Sequence, residues 1–195
     1  MNYTRHDSSG QRAATPTSIT LKGPSMDVSA AIRTKRAIRQ FSARPLSSED
    51  VSAILNAGRR AQSSKNEQVW HFIAVQDRAL LIELSTCGKW AGHLAAAPLG
   101  VAILTPDPTA KFQTMFDAGQ AAAYMQLAAW ELGIGSCPAS IYDTEKPRQL
   151  LGFPDDLHLR VMLSFGHPSQ SEKLTAAPRK GGRHPLEQVV HMNRW

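Results

Sequence analysis

The sequence predicts a single α+β domain, a sandwich of helices about a sheet, rather than a doubly wound sheet. Helical patterns outnumber strand patterns and alternate with them unevenly, whereas a doubly wound sheet needs regular strand-helix alternation. The 195 residues, 42% of them hydrophobic, suit one domain able to bury a real core, and they contain no internal repeat.

Residues 1–25 are rich in Ser, Thr, Gly and Pro and poor in large apolar groups, so burial cannot offset the entropy of ordering them. A disordered extension ahead of a domain over 26–195 is expected. Low acid content and two arginines leave a transit-peptide reading open, and Met26 is an alternative start. Asp27 then caps a short helix that places Val28 and Ile32 on one face. This helix runs into Arg33-Thr34-Lys35-Arg36-Ala37-Ile38-Arg39-Gln40-Phe41, four cations with no Asp or Glu between Asp27 and Glu49. Such a cluster suits an anion, although Lys and Arg also collect at solvated helix ends.

Pro45 forces an extended entry to the next helix, and Ser47 and Asp50 have the spacing of a capping box. Val51, Ile54 and Leu55 give that helix an apolar side; Gly58 either permits close packing or marks its end, and Arg59 and Arg60 are solvated. The polar loop 61–68 feeds a strand over 69–75 whose β-branched and aromatic residues predict burial. A helix is expected over 77–84 and a second buried strand over 98–105. A long central helix spans about 109–132, with Ala121, Ala122, Ala123, Ala128 and Ala129 allowing a close neighbour, partly at a subunit interface. Gly133 closes it. A short strand or loop over 134–140, a helix from about Thr144 and a third strand over 157–165 follow. The segment 179–195 starts basic and becomes amphipathic around Leu186, Val189 and Val190, and its terminal Trp195 predicts docking on a surface.

The net charge of +6 is uneven. Residues 1–25 carry +2 and residues 172–195 carry +3, which leaves +1 on the 146 residues between them. No broad basic face for nucleic acid follows, and one small anion fits better. Cys87 and Cys137 form neither a C-x-x-C pair nor a zinc-type pattern, and no ligand-spaced His pair occurs, so no metal site is expected. Apolar runs fall short of a membrane span, which predicts a soluble, cytoplasmic protein.

Gly133-Ile134-Gly135 closes a helix, whereas a dinucleotide fingerprint opens one. No phosphate-binding G-x-x-x-x-G-K-[ST] and no G-x-S-x-G elbow are present, and Cys137 reads as a small buried thiol. With no acid, base or nucleophile standing out, catalysis needs a cofactor.

Five segments in series complete the picture: Lys35-Arg36-Ala37-Ile38-Arg39-Gln40-Phe41; Ser63-Ser64-Lys65-Asn66-Glu67-Gln68-Val69-Trp70-His71-Phe72; Leu132-Gly133-Ile134-Gly135-Ser136-Cys137; Gly166-His167-Pro168; and Arg183-His184-Pro185-Leu186-Glu187-Gln188-Val189-Val190. In this order, over about 26–195, the chain resembles the nitroreductase family of FMN-dependent oxidoreductases. The resemblance implies a nitroreductase-like sandwich with a mixed, mainly antiparallel sheet, in an obligate homodimer with FMN at two sites between subunits. Lys35, Arg36, Ala37 and Arg39 inherit contacts to the phosphate and the pyrimidine edge of the flavin, Arg39 as the cation that stabilises reduced flavin. Arg183 matches a second phosphate arginine, with Lys180 as helper. Ser63, Ser64, Asn66 and Gln68 match a loop that reaches the flavin from the partner subunit, and Pro138, Ala139 and Ser140 a segment against the isoalloxazine. The activity implied is ping-pong hydride transfer from NADH or NADPH to nitroaromatics or quinones, with the acceptor pocket near 87–97 and 105–116.

Ala37 stands where the family has serine, and Gln62 and Val69 where it has proline. The first removes a hydroxyl donor, on the order of 0.5–1.5 kcal/mol. The rival readings are a deiodinase-like or flavin-consuming enzyme of the same fold, an FMN-binding protein without turnover, and a nucleic-acid binder.

Overall fold

Leu99–Thr105 is buried at all of its residues because both faces of this strand are covered. Leu99, Val101 and Ile103 enter one apolar cluster and Ala102 and Leu104 another, as the two-residue period of an extended chain requires. The computed structural model describes residues 26–170, 172 and 182–195, so the extension expected over 1–25 lies outside the described residues.

In chain order the described elements are α1 (Val28–Thr34), α2 (Ser48–Arg59), β1 (His71–Val75), α3 (Arg78–Leu84), β2 (Leu99–Thr105), α4 (Gln113–Glu131), β3 (Gly135–Ser140), α5 (Glu145–Leu151), β4 (His158–Gly166) and α6 (Leu186–Val189). The strands form one sheet in the order β1-β2-β4-β3, each neighbouring pair antiparallel. One isolated parallel bridge joins Ala37 to Ser136. On one face α2 and α4 bury Ile54, Ala121 and Met125 with Val101, Leu163 and Phe165. On the other, α3 and a 3-10 turn over Gly92–Ala96 bury Leu81, Leu84 and Leu94 with Ala102, Leu104 and Met162.

Local chemistry sets the element ends. Asp27, Ser47 and Asp77 each accept a backbone N–H at a helix start, on the order of 1 kcal/mol apiece. Gly133 closes α4 with φ of 70°. Gly58 serves close packing: a Cβ there would stand 2.2 Å from Met125 Cε, so its absence brings α2 onto α4.

Two expectations are corrected. The strand expected over 69–75 begins at His71 and lies at the sheet edge, paired among the described residues only with β2, which leaves His71 and Ala74 exposed. Its apolar run does not encode which neighbours it finds. The helix expected from about 109 begins at Gln113, because Asp107 Oδ1 accepts from the N–H and Oγ1 of Thr109 and holds a local turn instead. In the C-terminal segment Leu186, Val189 and Trp195 are exposed on the single chain. No described helix is long and apolar enough to cross a membrane.

Candidate functional site

The basic stretch leaves α1 as extended chain and is pinned by its one buried aliphatic residue. Ile38 packs with Ala31 and Trp130, and its N–H donates to Ser136 O at 3.0 Å. The stretch thereby runs along the outer edge of β3, with Ala37 and Arg39 left exposed. Lys35, Arg36 and Ala37 line a hollow of about 510 Å³ together with Arg183 from the distant C-terminal segment. Arg33, to which the resemblance assigns no role, lines it too. Lys180 lies outside the described residues.

The cations are constrained differently. Lys35 Nζ donates to Gln126 Oε1 of α4, and burial lowers its pKa, so an anion beside it would restore what solvent no longer supplies. Arg36 Nη1 donates to the carbonyls of Arg33, Thr34 and Lys35 at 3.2, 2.8 and 3.3 Å, closing the C-terminal end of α1. Its buried Nε finds no partner among the described residues. An unpaired buried donor, a desolvated ammonium and a second guanidinium around one hollow fit a phosphate.

Burial pushes the Cys137 thiol up in pKa while Arg39 and Lys35 pull it down, so both cations stand near this residue of β3. Cys137 itself is buried and unbridged, as expected of a small packing thiol. Beyond it Pro138 and Ser140 are exposed and Ala139 is buried; β3 is an edge strand, where a proline is tolerated. Behind the strand, Ser164 Oγ donates to Cys137 O at 3.2 Å and lies 2.8 Å from His93 Nδ1. Burial first, then Arg39, holds His93 below the ordinary histidine value. Sequence reasoning did not find this pair, because no spacing links residues 93 and 164.

Ser63, Ser64, Asn66 and Gln68 form a separate group. Ser63 Oγ accepts from Gln68 N–H at 3.0 Å, and Gln68 Nε2 donates to Asn66 Oδ1 at 3.2 Å. Ser64 N–H donates to Asp117 Oδ2 of α4 at 2.9 Å. The basic stretch touches α4 at Gln126, nine residues further on. At 1.5 Å and 100° per residue the two contacts lie about 13 Å apart along α4 and roughly on opposite sides of it. One chain therefore does not bring its loop and its basic stretch together. Asp117 was missed, yet it had a signal: with Thr114, Ala118, Ala121 and Met125 it falls on the buried stripe, a carboxylate where packing alone asks for a small apolar residue.

The Nitroreductase family model matches residues 32–92 and 84–167. A relative from Archaeoglobus fulgidus, carrying a provisional NADH dehydrogenase/NAD(P)H nitroreductase name, is 34% identical over 148 residues, 72% of this chain and 85% of the relative. A Vibrio harveyi NADPH-flavin oxidoreductase is 30% identical over 176 residues, covering 82% and 71%. The solved structure of an FMN-dependent nitroreductase from Clostridium difficile superposes with a TM-score of 0.73 at 29% identity, covering 85% of this chain and 98% of that one.

Proposed function

This chain belongs to the nitroreductase family, and from that premise we propose that it is an FMN-dependent NAD(P)H oxidoreductase, acting in the cytoplasm on electron-poor acceptors such as nitroaromatics and quinones. The hollow shared by Lys35, Arg36 and Arg183 is the observation that carries this reading. FMN, when bound, supplies hydride transfer from NADH or NADPH to the acceptor, each using the same pocket in turn.

The chain's own residues supply binding and electrostatics. Lys35 and Arg183 neutralise the phosphate, and the free Nε of Arg36 adds a donor. Arg39, exposed beside Cys137, is the fixed cation for charge that develops on the ring. Pro138 and Ser140 form an exposed surface for the ring face, next along the same strand edge, while Ala139 between them is turned into the core. Ser63, Ser64, Asn66 and Gln68 complete the site from a second copy.

The opposite placement of the two groups about α4 supports such a homodimer, because a complete site then needs both chains. So do the apolar groups that the single chain leaves bare: Val28 and Ile32 on α1, Phe116 and Tyr124 on α4, and Leu186, Val189 and Trp195 at the C-terminus. Calorimetric titration of flavin-free protein tests the reading. One FMN bound per chain is expected, and no uptake of FMN would refute it.

A further inference from the structure

We propose that Asp117 is a positioning residue for the cofactor: its buried carboxylate holds the loop bearing Ser63, Ser64, Asn66 and Gln68 in the shape that meets the flavin. The proposal rests on the FMN reading above and adds to it a residue outside the expected set.

The loop is strained and needs holding. Lys65, Asn66 and Gln68 have φ of 51°, 57° and 49°, in the left-handed region that residues with a side chain avoid. Internal bonds from Asn66 N–H to Ser63 O and from Glu67 N–H to Ser64 O close its turns without attaching it to the domain. Attachment comes from α4, along which the loop runs antiparallel. Gln120 Nε2 donates to Gln62 O at 3.5 Å, Asp117 accepts from Ser64 N–H, and Lys111 pairs with Glu67.

The three attachments are unequal. The Gln120 contact is long, and the Lys111–Glu67 pair is solvent-exposed and contributes little. Asp117 is only 4% exposed, and its charge-assisted bond to the half-buried Ser64 is better shielded from solvent than the other two attachments. A carboxylate on the buried stripe of α4 is a poor choice for packing alone, since a buried charge is costly without partners. It is explained by the donor it receives from the loop.

The test uses the full chain, first without flavin. In the unsubstituted protein the Ser64 amide exchanges slowly with solvent although its loop is largely exposed; exchange at the free-peptide rate overturns the proposal. Asp117→Ala speeds exchange across 62–68 roughly 10- to 100-fold and opens the Lys65 bond to trypsin, whereas Asp117→Asn, which keeps an acceptor oxygen in place, restores most of the protection. FMN affinity follows the same order, with Kd raised about tenfold in Asp117→Ala. Equal losses in both variants point to a general structural role and contradict the proposal. Faster exchange with unchanged FMN affinity also overturns it, while leaving the FMN reading intact. An unsubstituted chain that binds no FMN defeats both.

Discussion

Ile38 occupies the space that a side chain at Gly135 would need: a Cβ at residue 135 would stand 2.6 Å from Ile38 Cβ. The β-branched group cannot swing aside as a flexible chain end can. Gly135→Ala should therefore push the basic stretch off β3, at a cost of about 1–3 kcal/mol. Thermal unfolding of Gly135→Ala, Ile38→Gly and the double variant checks this, since only glycine at residue 38 removes the Cβ that clashes. The double variant should lose less than the two singles together, and simple additivity would show that the two residues do not compete for one space.

The proposed phosphate contacts can be separated from the proposed ring contacts by choice of ligand. Lys35→Gln and Arg183→Gln should each weaken FMN about tenfold or more, since each removes a charged donor. Riboflavin, which lacks the phosphate, should bind these variants as it binds the unsubstituted chain. Parallel losses for both ligands would move the two cations away from the phosphate.

Exposed Phe116 on α4 lies outside both groups of flavin-site residues, at the end of the stretch expected near the acceptor pocket, so FMN affinity rather than turnover makes it a probe of assembly. Phe116→Asp should convert a dimer into monomers by light scattering and abolish FMN binding with it. A monomer that keeps full FMN affinity would show that one chain completes the site alone.

Stability should decline on mild acidification. His93 is held below its ordinary value by burial and then Arg39, and His167 by burial and then Arg44, with Asp50 opposing. As pH falls through the unfolded value near 6.5, the unfolded chain takes up protons that the folded chain refuses. Stability present above that value is lost as pH falls towards the folded values. The melting temperature should drop between about pH 7.5 and 5.5, and His93→Gln should flatten part of the slope.

What the sequence made legible was local. The caps at Asp27 and Ser47, the stop at Gly133 and the buried run of β2 follow from side-chain chemistry within a few residues. The basic stretch was legible as a candidate anion site because its charges are unbalanced within the stretch itself. Strand order was not: nothing in residues 69–75 says that they pair on one side only. Nor were Gln126, Asp117 and His93, whose roles exist only because α4 and the turn over Gly92–Ala96 bring them to segments between 53 and 91 residues away. The departure at Ala37 fits the same view, since that residue joins Ser136 through its backbone, an interaction any side chain allows.

The most direct measurement is an absorbance spectrum of the purified protein followed by anaerobic titration with NADH and NADPH. A flavin spectrum that one of the two nicotinamides bleaches, and that a nitroaromatic or quinone restores, is the predicted result. A colourless protein that takes up no added FMN, or a bound flavin that neither nicotinamide reduces, would contradict the account.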